Sequence, residues 1–355
     1  VKKFLILLIM VIFLSGCVEK RIVDEINIAI ASGFDPSDGD KKFKTTFLMQ
    51  DFQEDMSVQN RTITSEGDVR REILIGSNRQ SPSPVVVGGM RLTLFEKSIA
   101  KKGIKDYIDT YQRDATIGTR IFFATTEGKT EELLKGNYGP QGNGSFISDL
   151  IEHNIRQGDV PKTNLASFLQ DYYQKGKDVY LPHIKKINDK NVDISGLMLF
   201  KGSKALYILP SDKMFYFKLL VDRYSKGEFT VSLEDGSEAS VHSIISKHRL
   251  KMDKKDPLHL SIEINIKGNI KEYTGNKLNP KIIEAITKNL EEKVEKECIQ
   301  LVKEFQEKEI DPVGIGAYYK TQIRGFDYEK WKQTYTDLSV DIKSDVEIIE
   351  TGATY

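Results

Sequence analysis

The sequence predicts an α+β protein: two to three small mixed domains, largely antiparallel sheets each packed by helices, with one long amphipathic helix in the C-terminal domain. Three observations carry this. Strand-like stretches come in runs, not singly between helices as in a doubly wound sheet. Residues 228–233, 240–252 and 259–273 are three successive β-rich stretches; in the last, Leu258, Leu260, Ile262, Ile264 and Ile266 share one face of a pleat. Beyond Asn279-Pro280, a good helix start, Ile283, Ile286, Leu290, Val294, Cys298, Leu301 and Phe305 recur at steps of three or four. That stripe can cover the preceding sheet, and Asp311-Pro312 ends it.

The chain starts with the charged Val1-Lys2-Lys3, then an apolar run over residues 4–14, then Ser15-Gly16-Cys17. This is the anatomy of a secretory signal. The run is 11 residues, against ~20 for a spanning helix. Leu14-Ser15-Gly16-Cys17 resembles a bacterial lipobox: cleavage between Gly16 and Cys17, diacylglycerol on the Cys17 thiol. The alternatives are an uncleaved anchor, or cleavage elsewhere with Cys17 an ordinary thiol. The expected division is a signal peptide at 1–16, an N-terminal domain at 17–193 that divides in two near 143 or runs undivided, and a C-terminal domain at 194–355.

Residues 22–31 alternate as a strand, 33–39 form a turn, and 43–52 read as a second strand of a hairpin. Residues 64–75 open with Ser65, Glu66 and Asp68 and predict a short helix. Residues 85–94 read as a buried strand. Helices follow at 94–102, stopped by Gly103, and at 104–111. A strand at 117–125, helices at 127–134, 148–155 and 164–175, and an extended stretch at 179–187 come next; Pro182 marks that stretch as an edge or turn. Strands at 197–200 and 205–209 precede a helix at 212–224 with Met214, Phe217, Leu220 and Val221 on one side. A short helix at 328–334 holds Trp331, and 338–349 is a closing strand.

Hydrophobic content of 39% and charged content of 29% describe an ordinary folded protein. Lys+Arg and Asp+Glu are 52 each, so a general nucleic-acid binder or polybasic membrane clamp is disfavoured. With Cys17 lipidated, Cys298 has no disulfide partner.

Tests for chemistry return little. Gly128-Lys129-Thr130 ends like a P-loop, but Phe123 stands where the first glycine is required. Gly314-Ile315-Gly316 lacks a third glycine and reads as a turn. His153, His183, His242, His248 and His259 show no metal spacing. His242 and His248 are expected on one strand face, ~20 Å apart, too far for one ion. Cys298 reads as a buried structural thiol, and Trp331 and Phe95 as core aromatics. No catalytic residue, metal or cofactor beyond the Cys17 lipid is expected.

Several segments in order resemble the Ger(x)C family, the C subunit of bacterial spore germinant receptors. They are the lipobox with Arg21-Ile22-Val23-Asp24-Glu25 and Gly33-Phe34-Asp35; Phe95-Glu96-Lys97-Ser98-Ile99-Ala100 with Gly103-Ile104, Tyr107-Ile108 and Arg113-Asp114; Ser195-Gly196-Leu197-Met198-Leu199-Phe200-Lys201 with Lys204; and Ile282-Ile283-Glu284, Asp311-Pro312-Val313-Gly314-Ile315-Gly316 and Trp331-Lys332 before a last Val/Ile strand. Val18 departs from the aromatic that often follows the lipidated Cys. The resemblance implies a non-enzymatic lipoprotein on the outer face of the spore inner membrane, partnered by A-type and B-type integral subunits, and a fold of several small mixed domains. It supplies one site, Cys17. A second reading is a solute-binding lipoprotein that binds a small nutrient directly. A third, an envelope hydrolase, needs a deep pocket with facing carboxylates.

Overall fold

The computed structural model describes residues 25–37, 39–53, 57–223 and 225–351. Gly16 and Cys17, the expected cleavage and lipid sites, lie outside the described residues, as does the apolar run before them. Among the described residues no helix is long and apolar enough to cross a membrane.

The chain opens with β1 (Asn27–Asp35) and β2 (Phe43–Phe52), the antiparallel hairpin expected from their alternation. β3 (Val58–Gly67) then pairs antiparallel with β2. The helix expected at 64–75 therefore starts later, as α1 (Arg70–Arg79). Within β3 only Ile63, Ser65 and Gly67 are buried. An edge strand this polar carries almost no apolar alternation, so its capping-type residues read as a helix start.

Next come β4 (Val85–Val86), β5 (Leu92–Glu96), α2 (Lys97–Lys102), α3 (Lys105–Arg113) and β6 (Phe122–Thr126). The Glu96 side chain accepts the Ser98 N–H at 2.7 Å and so starts α2 only after the strand has ended. α4 (Thr130–Leu134), α5 (Asn143–Gln157) and α6 (Leu165–Tyr173) lead to β7 (Tyr180–Lys186), β8 (Val192–Lys201) and β9 (Lys204–Pro210). Asn164 and Ser167 cap α6 reciprocally.

The large sheet has strand order β3-β2-β1-β5-β6-β7-β8-β9, with β4 beside β1. Its outer pairs are antiparallel, but β1–β5, β5–β6 and β6–β7 are parallel. Helices cover both faces, which is what parallel strands require. Accordingly Leu92, Thr93, Leu94 and Phe95 are all buried. Pro182, expected at an edge or turn, lies in β7 between β6 and β8. The parallel pairing to β6 begins only at His183, so that ladder loses nothing to the missing proline N–H. The polar stretch near residues 188–193 is the β7–β8 hairpin, and the same sheet continues beyond it to Pro210.

The helix α7 (Ser211–Val221) follows. Residues 214–220 of it are all buried, not one side only. It packs against β8 and β9 of the first sheet, and against elements of the second unit on its other side.

That second unit holds β10 (Ser225–Ser232), β11 (Glu238–Met252), β12 (His259–Tyr273), α8 (Pro280–Glu307), α9 (Ile315–Gln322), α10 (Tyr328–Thr334), a 3-10 turn (Tyr335–Asp337) and β13 (Ser339–Thr351). The sheet order is β10-β11-β12-β13, antiparallel except β12–β13, which is parallel across the helical crossover. Leu260, Ile262, Ile264 and Ile266 are buried under α8 as their alternation predicts, while Leu258 is exposed. On α8, Ile286, Leu290, Val294, Cys298, Leu301 and Phe305 face the sheet, each at most 2% exposed. Asn279 accepts the Ile282 N–H, with Pro280 in the first turn. The helix ends before Asp311. The Ile310 N–H returns to the Phe305 carbonyl and the Glu309 N–H to Gln306, both at 2.9 Å, with Glu309 left-handed at φ 50°. This is a Schellman stop with glutamate in the glycine position.

One apolar core runs from the α4, α5 and α7 face of the large sheet through to α8 and the second sheet. A second fills the opposite face of the large sheet, under α1, α2, α3 and α6.

Candidate functional site

The residues tested for chemistry are engaged in structure. Thr130, at the start of α4, is fully buried. Its N–H and hydroxyl bond the Asp35 carboxylate at 2.7 and 2.8 Å, and the Glu131 N–H adds a third bond at 3.0 Å. A protein carboxylate thus occupies the helix N-terminus that a phosphate would need. A Cβ on Gly33 would collide with Thr130, so this glycine is set by the close approach of β1 to α4.

His183 is 2% exposed. Its Nδ1 bonds the Thr125 hydroxyl and its Nε2 the Glu127 carboxylate, both at 2.9 Å. Burial lowers its pKa, against the pull of Glu127. This hydroxyl–imidazole–carboxylate row follows from the β6–β7 register, which sets Thr125 opposite His183. Thr125 is fully buried, so the row ties strands together. His242 and His248 do not share a face. A bulge between Ser243 and Ile245 shifts the alternation. His242 bonds Glu228 on the neighbouring strand, while His248 Nδ1 donates to the Asp222 carbonyl at 3.1 Å. His259 faces Asp341, and His153 is exposed on α5. Among the described residues no three His, Cys, Asp or Glu side chains could hold a metal.

Cys298 is fully buried against the Tyr216 carbonyl, and burial pushes its thiol far above the usual range. Phe95 is fully buried and Trp331 is 7% exposed, both as core aromatics.

A buried polar construction lies where the two sheets meet. The Asp178 N–H donates to the Asp311 carbonyl at 2.9 Å, and the Asp311 N–H to Asp178 Oδ2 at 2.8 Å. Asp178 Oδ1 also receives the Gly202 N–H. The Asp311 carboxylate takes the N–H groups of Gly314, Ile315 and Gly316 at 2.7–2.9 Å, and so satisfies the first free donors of α9. The stretch read as a Gly-Ile-Gly turn is thus a helix start, with Gly314 left-handed at φ 83°. Burial pushes the Asp311 carboxyl up to about 7, opposed by its three N–H partners. Burial raises Asp178 as well, against its two N–H partners.

Gly176, at φ 87°, lies against Gly316; a Cβ on it would stand 2.5 Å from the Gly316 carbonyl carbon. The Ala317 N–H bonds the Gly176 carbonyl at 2.8 Å. Trp331 covers Gly316 and stacks near Tyr319, ring centres 4.3 Å apart. Gln306 Nε2 donates to the carbonyls of Tyr335 and Leu338, both at 2.9 Å. An open groove of about 780 Å³ runs alongside, with Lys201 and Glu309 paired at 2.7 Å on its lip. Two carboxylates lie in this junction, and backbone N–H groups occupy the oxygens of both. The arrangement joins the units through buried hydrogen bonds. The sequence signal for it was an aspartate, Asp311, three places before the glycine that opens the helix.

Fold and junction together define a two-sheet α+β scaffold stapled at its middle by buried polar groups. Comparison with known proteins agrees along the whole length. Residues 19–186 match the family model of the spore germination protein N-terminal domain, and residues 195–352 match the spore germination B3/GerAC-like C-terminal model. The chain is 30% identical over 360 residues to spore germination protein GerQC of Bacillus cereus, covering 99% of each. The crystal structure of the GerBC protein superposes with a TM-score of 0.56 at 15% identity, over 90% of this chain and 98% of that one. The chain belongs to the Ger(x)C family of spore germination proteins.

Proposed function

We propose that this chain is the lipid-anchored C-type subunit of a nutrient germinant receptor, held on the outer face of the spore inner membrane. It acts there without catalysis, through contacts with A-type and B-type integral membrane subunits. The observation that carries the reading is full-length relatedness to a spore germination protein, together with Leu14-Ser15-Gly16-Cys17 at the start. Diacylglycerol on Cys17 confines the chain to two dimensions beside its partners and raises their effective concentration without new contacts.

The test is Cys17→Ala in the producing cell, scored for membrane fraction and for nutrient-triggered germination. Loss of both is expected. Release from the membrane with germination untouched would overturn the receptor reading.

A further inference from the structure

Where the chain enters the large sheet there is an open groove of about 1070 Å³. Its floor is aliphatic: Ile26 and Ile28 at the start of β1, Leu74 from α1, and Val85, Val86 and Val87 from β4 and the residue after it. Ile26, Ile28, Leu74 and Val86 are only half-buried. Ile75, next to Leu74 on α1, is 49% exposed. An apolar surface left open in this way marks a contact site. A ligand pocket encloses most of its guest; this groove is open to solvent and encloses nothing.

Two arginines stand beside the floor. Arg71 lies on α1 one turn before Leu74 and Ile75, on the same helix face, and Arg113 ends α3. Both are exposed, and among the described residues neither guanidinium has an ion-pair partner. The acidic group of the groove, Asp114, is held by the Thr116 N–H and hydroxyl at 3.0 and 2.6 Å. An aliphatic floor flanked by free guanidinium groups matches the boundary between acyl chains and headgroups of a bilayer.

Position points the same way. Only seven residues, 18–24, separate Cys17 from Glu25. The chain from Cys17 to Ile26 spans at most about 30 Å, so a lipid on Cys17 keeps the groove within that distance of the membrane surface. The second unit is under a far looser bound. Two arginines alone would hold a membrane weakly, at about fivefold each. Beside an acyl anchor they supply a second signal.

We propose that this groove is the face seated on the bilayer: an anionic phospholipid surface, with phosphates on Arg71 and Arg113 and acyl segments on the aliphatic floor. The proposal rests on the lipid anchor at Cys17 and adds how the protein is oriented above it.

The test uses the lipidated full chain in vesicles of phosphatidylcholine and phosphatidylglycerol that carry a doxyl quencher just below the headgroups. A fluorophore is attached at Thr116→Cys, in the groove, or at Glu347→Cys, on β13; both positions are exposed. Cys298 is fully buried and takes no label. In chain that floats with the vesicles, strong quenching is expected at position 116 and weak quenching at 347. Arg71→Gln combined with Arg113→Gln should lower the seated population roughly tenfold or more. Vesicles of phosphatidylcholine alone should weaken the quenching in the same sense. A chain that does not float overturns the anchor and the proposal together. One that floats with both positions quenched alike, or with quenching at 116 indifferent to the arginines and to phosphatidylglycerol, overturns this face and leaves the anchor standing. Shielding of position 116 from iodide in the producing cell's membranes, without quenching in pure lipid, would assign the groove to a protein partner and overturn the proposal equally.

Discussion

Asp178 and Asp311 exchange backbone and side-chain bonds: the Asp311 N–H reaches the Asp178 carboxylate at 2.8 Å, and the Asp178 N–H reaches the Asp311 carbonyl at 2.9 Å. The two residues are 133 positions apart. One precedes β7 in the large sheet; the other follows α8 on the second. Their pairing fixes how the units meet, and three predictions attach to its surroundings.

Asp311 should make stability depend on pH. Its carboxyl is pushed up to about 7 by burial, from an ordinary value of 3.8. Between these values the folded chain holds a proton that the unfolded chain has released, so stability falls as pH rises through that window. The contribution is complete below about pH 4 and lost above about pH 7. Asp222, pushed up to about 6, acts in the same sense. His183 and His248, both lowered by burial, act oppositely: stability is lost as pH falls below their ordinary value. Comparison with Asp311→Asn cancels these common groups. The wild-type advantage, measured by urea unfolding, should shrink from pH 4 to pH 7, with a slope of at most about 1.4 kcal/mol per pH unit. Parallel profiles would mean that the three N–H donors outweigh burial and keep Asp311 ionised throughout.

Gly176→Ala should destabilise by about 2 kcal/mol or more, because it combines a left-handed backbone with collision against the Gly316 backbone. Gly118→Ala is the control, since a Cβ there meets nothing within 4 Å. It should change stability by less than about 0.5 kcal/mol. Equal midpoints in thermal unfolding for the two variants would show that the junction yields easily.

Glu309→Gly should hold or raise stability by up to about 1 kcal/mol. Glycine relieves the left-handed position that closes α8. The substitution also removes the ion pair with Lys201, whose partners are 52% and 69% exposed. Such pairs contribute about 0–1 kcal/mol, so the backbone term should prevail. A marked loss in denaturant midpoint would mean that the pair, and not the helix stop, matters most here.

How far the sequence was legible can be judged from particular segments. The alternation of residues 260–266 and the stripe from Ile286 to Phe305 located a sheet and its covering helix, because each is dry on one side only. The β3 edge strand was lost because its outward residues are polar and its buried positions include Ser65 and Gly67. α7 looked one-sided but is covered on both sides, by the large sheet and by the second unit. His242 and His248 were placed on one face because a bulge leaves no mark in composition.

The sequence by itself determined the class, the main helix, the strands of the second sheet and the family, since periodicity and ordered motifs are local properties. Only the tertiary structure decided that β1, β5, β6 and β7 run parallel, and that Asp311 accepts the first N–H groups of α9 while bonding Asp178. The physical reason is the same in each case. Periodicity tells which side of a segment is dry, but not what lies against it. That depends on long-range strand order and on backbones brought within contact by glycines such as Gly176 and Gly316, far apart in the chain.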